Sequence, residues 1–136
     1  MIQITETTIE VGQVLTDVYS EAAGAVNLFI GTVRASTAGK KVERLEYEAY
    51  DGMALSEMRK IADKAKAKWA IQKLVIIHRK GVLQIGEAAV VIAVATPHRQ
   101  DSFEACKFTI DTLKETVPIW KKEVYEDGEV WVAAHP

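Results

Sequence analysis

The sequence predicts an α+β fold, one compact domain with a mixed or antiparallel sheet and about three helices. Two observations carry that expectation. Apolar runs with strand character take turns along the chain with runs whose apolar residues recur at three- and four-residue steps. The 136 residues contain no repeat, linker or low-complexity segment, so residues 1–136 are read as one domain with room for one real core.

The elements follow in order. Met1 to Thr5 reads as a short strand, and Val11, Val14, Leu15, Val18, Tyr19 and Ala22 mark an amphipathic helix ending near Gly24. Ala25 to Val33 is a strongly apolar strand, and Gly31 inside it marks a bulge or a close approach to the backbone. Arg34 ends that strand, and the small-residue and lysine segment Ala35 to Lys41 reads as a mobile loop. Val42 to Ala49 alternates imperfectly and is read as a strand. Asp51 to Trp69 is the longest helix, with Ala54, Met58, Ile61, Ala65 and Trp69 on its apolar face. Lys73 to His78 and Ala88 to Thr96 are strands joined by a connection containing Gly81 and Gly86. A helix follows Pro97 and runs to Thr116, with Phe103, Cys106, Ile110, Leu113 and Val117 on its apolar stripe and Asp101 or Ser102 as N-cap. Ile119 to Tyr125 and Glu129 to Ala134 close the chain as two strands joined at Glu126-Asp127-Gly128.

Composition narrows the function. A hydrophobic content of 49% with 26% charged residues is that of an ordinary globular protein. A formal net charge of -2 argues against a general nucleic-acid binder, so any anion site must be a local concentration of cations. The one cysteine, Cys106, excludes an internal disulfide and a multi-cysteine metal site, and its place on the stripe makes it a core residue. With no basic-then-apolar leader pattern and no apolar run near 18 residues, a cytoplasmic protein is expected.

The polar groups at element ends carry the chemistry. Arg34 follows one strand, His98 and Arg99 lead from another into a helix, and Lys114, Lys121 and Lys122 come at or just after that helix's end. An arginine fork and a helix N-terminus both suit phosphate, so His98-Arg99 reads as a phosphate site. Lys114 falls on the flank of the apolar stripe, where desolvation and neighbouring cations would lower its pKa toward the range of an acid, base or nucleophile. No histidine pair at metal spacing, glycine-rich phosphate loop or recognisable nucleophile setting competes with this reading.

Phe29-Ile30-Gly31-Thr32-Val33-Arg34, Glu46-Tyr47-Glu48-Ala49-Tyr50 with Gly52-Met53, Ile77-His78-Arg79 with Gly81, Pro97-His98-Arg99, Phe103-Glu104-Ala105, Leu113-Lys114 and Pro118-Ile119-Trp120-Lys121-Lys122-Glu123 form an ordered set. From about Ala25 to Ala134, their order and spacing closely resemble the large, catalytic subunits of molybdopterin synthase. The resemblance implies an α/β-hammerhead type of fold and a sulfur transferase of molybdenum-cofactor biosynthesis. Such an enzyme installs the dithiolene of molybdopterin on cyclic pyranopterin monophosphate. The sulfur arrives as a thiocarboxylate on the C-terminal Gly-Gly of a small ubiquitin-like partner, and a homodimer of the large subunit forms the centre of a heterotetramer. No cofactor or metal is implied.

Carried over by position, Lys114 matches the principal catalytic lysine and Lys121 the second, both bordering the substrate. Arg34, His98 and Arg99 match the anion pocket expected for the substrate phosphate. His78 and Arg79 also belong to the pattern, and their place at a strand end gives them a structural role. The resemblance has one departure: close relatives in the family often carry an arginine shortly after the block matching Trp131-Val132, reaching the anion site from the neighbouring protomer. His135 occupies that place here, so phosphate affinity that falls as pH rises through about 6 to 7 is expected if the contact operates. Two other classes stay open, a phosphate-ester or nucleotide enzyme using the same cations and a non-catalytic adaptor for a ubiquitin-like tail.

Overall fold

The structure is a computed structural model that describes the backbone of residues 1–133 and side chains through Val130. Its elements are β1 (Ile2–Thr5), α1 (Val11–Val18), β2 (Ala25–Thr32), β3 (Ser36–Thr37), β4 (Lys40–Ala49), α2 (Asp51–Lys68), β5 (Lys73–Arg79), β6 (Gly81–Gln84), β7 (Ala88–Thr96), α3 (Arg99–Thr116), β8 (Ile119–Tyr125) and β9 (Gly128–Ala133). They form two sheets. The first has the order β1-β5-β7-β2, parallel between β1 and β5 and antiparallel elsewhere. The second has the order β3-β4-β8-β9, all antiparallel, with β6 also paired to β4.

The first sheet is covered on both faces, which is why β5 and β7 are almost continuously apolar. Leu74, Ile76, Val90, Ile92 and Val94 face α2 and α3, whereas Val75, Ile77, Val91, Ala93 and Ala95 face α1 through Val14 and Val18. This is the two-residue period of a strand read on both sides at once. A third cluster, Val33, Val42, Leu45, Leu83 and Ala89, fills the seam where the two sheets meet.

Local details differ from the sequence expectations for physical reasons. α1 stops at Val18, with Tyr19 already extended (φ -60°, ψ 137°). Gly24, near which that helix was expected to end, instead lies beside the β7–α3 junction. Its N–H donates to the Thr96 carbonyl at 3.0 Å, and a Cβ there would meet the Pro97 carbonyl oxygen at 2.4 Å. Ala35 to Lys41, read as a loop, contains a hairpin: Ser36 and Thr37 pair with Lys41 and Lys40 across a turn at Ala38 (φ 51°) and Gly39 (φ 80°). The imperfect alternation of Val42 to Ala49 has its cause in a register shift between Val42 and Arg44, which changes the phase of the strand. The connection read between the strands at Lys73 and Ala88 contains the short strand β6.

Gly31 satisfies both readings offered for it. The β2–β7 register shifts between Gly31 and Thr32, and a Cβ on Gly31 would meet Val90 Cγ1 at 2.7 Å.

Candidate active site

α3 sets the geometry of the site. Its N-cap is His98, in extended conformation and without a side-chain cap bond, rather than Asp101 or Ser102. The Thr96 hydroxyl donates to the His98 carbonyl at 2.7 Å and steadies that junction. Asp101 instead accepts the Ala70 N–H at 3.3 Å, while the Ser102 hydroxyl donates to the Arg99 carbonyl at 2.7 Å. The buried face runs through Ser102, Ala105, Cys106, Thr109, Ile110 and Leu113, and Phe103 is turned out with 54% of its surface exposed. Ser102 and Thr109 hide on that face because each hydroxyl finds a carbonyl of its own helix, Thr109 donating to Ala105 at 2.7 Å. Apolar periodicity alone does not register such residues. Cys106 is buried as expected, and burial pushes its thiol up to about 11.

The C-terminal half of α3 borders a cavity of about 270 Å³ at the seam of the two sheets. β2 and its continuation contribute Phe29, Gly31, Thr32 and Arg34, β4 contributes Leu45 and Tyr47, and β5 contributes His78. Ile110, Leu113 and Lys114 come from α3, and Lys121 and Glu123 from β8. Three of the five residues singled out by sequence, Arg34, Lys114 and Lys121, therefore meet on one cavity although 87 residues separate the first from the last.

His98 and Arg99 are not among its lining residues. They sit at the opposite end of α3, about 22 Å from Lys114 at 1.5 Å per residue. Lys122 also points elsewhere, since neighbouring strand residues face opposite sides. It pairs with Glu46 at 3.5 Å and Glu129 at 3.6 Å. His135 lies outside the described residues. Lys114 is exposed in the single chain, so the desolvation expected from its helical flank is not supplied by this chain alone.

Lys121 is held differently. Its side chain is only 13% exposed, and Nζ lies 3.5 Å from Oε1 of the buried Glu123. The Tyr125 hydroxyl donates to the other Glu123 oxygen. Burial and the Glu123 charge together push the Tyr47 phenol up to about 12, so it stays protonated. His78 is 5% exposed and stands edge-on to Tyr47, with ring centroids 5.2 Å apart at 70°. Its Nδ1 lies 2.8 Å from the Arg79 carbonyl. A carbonyl cannot donate, so Nδ1 carries the proton and Nε2 is the free lone pair of a neutral ring. Burial, with a smaller contribution from the Lys114 charge, lowers the imidazole to about 4 against the pull of the Arg79 carbonyl.

Sequence reasoning singled out neither Glu123 nor Tyr47 as a site residue, and it left His78 structural. A signal for Glu123 was present: it stands two residues from Lys121 on one strand and must share its face. Tyr47 and His78 come into the site only through strand pairing between distant segments. No group of three or more metal-binding side chains occurs among the described residues.

Comparison with known proteins agrees with this architecture. The family model for MoaE protein matches residues 4–116. The molybdopterin synthase catalytic subunit of Bacillus subtilis is 49% identical over 130 residues, spanning 96% of this chain and 83% of that one. The crystal structure of molybdopterin synthase from Staphylococcus aureus superimposes with a TM-score of 0.90 at 45% identity, covering 95% of this chain and 94% of the other. At 20% identity, a likeness of fold alone extends to a complex of subunits 1 and 2 of molybdopterin-converting factor from Helicobacter pylori. Its TM-score is 0.80, with 96% and 89% of the two chains covered.

Proposed function

Because the chain belongs to the MoaE family of molybdopterin synthase catalytic subunits, we propose that the cavity between its two sheets is where sulfur passes to a pterin phosphate. The chain is an enzyme of molybdenum-cofactor biosynthesis. It takes sulfur from the C-terminal thiocarboxylate of a small ubiquitin-like subunit and installs it on cyclic pyranopterin monophosphate to form the dithiolene of molybdopterin. It works in the cytoplasm as the homodimeric centre of a heterotetramer. No helix among the described residues is long and apolar enough to cross a membrane.

The observation that carries the reading is the convergence of Arg34, Lys114 and Lys121 on one cavity from three separate segments of the chain. Lys114, exposed at the rim, is the ammonium that an inserted chain tail covers. Removing water from around it strengthens its hold on the negative charge that develops at the acyl oxygen as the acyl–sulfur bond breaks. Lys121 is fixed by Glu123 and borders the pterin, and Arg34 takes the phosphate through its planar fork. His98 and Arg99 reach a phosphate in this cavity only when a second copy of the chain brings its α3 N-terminus there.

Single-turnover conversion of the cyclic pterin phosphate with a thiocarboxylated partner tests the assignment. Wild-type protein is expected to form the dithiolene. Lys114→Ala, folded and bound to the partner, is expected to lose about 10² to 10³ in rate, the usual loss when a donor to an oxyanion is removed. A fully active variant removes Lys114 from the chemistry, and an inactive wild type returns the chain to the adaptor class.

A further inference from the structure

The cavity holds a buried imidazole that the sulfur-transfer reading does not use. We propose that His78 is the general base of the reaction, taking a proton from the water that cleaves the acyl–sulfur bond. This rests on the proposed sulfur transfer and deepens it.

Once the thiocarboxylate sulfur is bonded to the pterin, the partner's acyl carbon must be passed to some acceptor. The cavity offers no thiol among the described residues, since Cys106 is buried in the core beneath α3 and does not line it. Water is the acceptor that remains simplest to admit, and its attack needs a base. The groups facing His78 do not supply one. Lys114 on α3 and Arg34 after β2 are cations, Lys121 and Glu123 on β8 are paired, and Tyr47 on β4 keeps its phenolic proton. His78 differs from all of them. Its Nδ1–H is committed to the Arg79 carbonyl at 2.8 Å and its ring is fixed edge-on against Tyr47, which leaves Nε2 as an uncharged acceptor on a rigid strand.

The step balances. The water oxygen bonds to the acyl carbon while one water proton passes to Nε2. The carbon–sulfur bond breaks, its electron pair leaves on the pterin sulfur, and the imidazolium returns the proton to that thiolate. The partner leaves as a carboxylic acid that ionises, and His78 is neutral again. No oxidant or reductant takes part.

The test follows the acyl–sulfur adduct between partner and pterin by mass spectrometry in single turnover, using the full complex. In His78→Gln, which keeps a side-chain donor but has no basic nitrogen, adduct formation is expected to continue and its hydrolysis to slow by about 10² to 10⁴. Imidazole added to His78→Ala is expected to restore hydrolysis. Unchanged hydrolysis in His78→Gln overturns the proposal, as does equal slowing of adduct formation and hydrolysis, which a merely structural role would give. The wild type supplies a readout that no variant can spoil by misfolding. Its hydrolysis rate should be flat from pH 6 to 8, because the base is already free of protons there, and a rate that climbs through this range overturns the assignment. A wild type that forms no adduct refutes the sulfur transfer itself, a different result from a slow His78 variant.

Discussion

At Gly31 one hydrogen atom decides whether two strands can pack. A β-carbon there would lie 2.7 Å from Val90 Cγ1, and both residues belong to the strand pair that forms one wall of the cavity. Gly31→Ala is expected to lower stability by about 1 to 3 kcal/mol through overpacking. Val90→Ala in the same chain should recover part of that loss, as a double-mutant cycle in urea would measure. Cys106 gives a second check at this scale. Burial and the raised thiol pKa predict that a thiol reagent at neutral pH labels it only as fast as the chain opens, with a steep rise in denaturant. Gly31 was legible in the sequence because glycine weakens the interior of an apolar strand unless a bulge or a close backbone approach requires it. Tyr47 and His78 were not, since each owes its place to a partner far away along the chain.

Among the elements, the β3–β4 hairpin is the part that sequence read least well. Serine, threonine, alanine, glycine and lysine suggest a loop, and two-residue strand pairing is too short to leave a periodic signal. The turn holds Ala38 at φ 51°, where a side chain is strained. Ala38→Gly is therefore expected to raise stability by up to about 1 kcal/mol, the relief of that strain less the entropy a glycine adds to the unfolded chain. The gain would be read as a higher urea midpoint with unchanged slope. α3 was legible as a helix and its rotation was not. Thr109 and Ser102 look polar in sequence, yet they turn inward by bonding their own backbone, and this moves Phe103 to the surface.

For the molecule as a whole, the most direct consequence of the buried imidazole is acid sensitivity. The folded chain refuses a proton at His78 until about pH 4, whereas the unfolded chain accepts one near 6.5. Between those values the unfolded state binds more protons, so stability must rise with pH and fall on acidification. The interval from 6.5 down to about 4 corresponds to roughly 3 kcal/mol lost by pH 4, as an order of magnitude. Unfolding midpoints measured from pH 7 to 4 should fall accordingly, and His78→Gln should flatten that slope. The α+β architecture was readable in advance because each strand and helix declares itself locally. The division into two sheets was not, because the phase change at Val42 and the brief β6 are too short to mark a hydrophobic pattern.

The first sheet also bears on how the protein behaves in a test tube. β2 pairs only with β7 among the described residues, which leaves the other side of Ala25–Thr32 open. Those eight residues carry no charge and no proline, and Val26 and Ile30 are exposed along them. Such an edge is a template for another strand, and its one irregularity, the register shift between Gly31 and Thr32, lies at its far end and leaves Ala25 to Ile30 unguarded by charge or proline. Concentrated stocks of the isolated chain are therefore expected to turn cloudy on storage. Asn27→Lys, which sets a positive charge in the middle of the edge, should keep them clear, with light scattering over days as the readout.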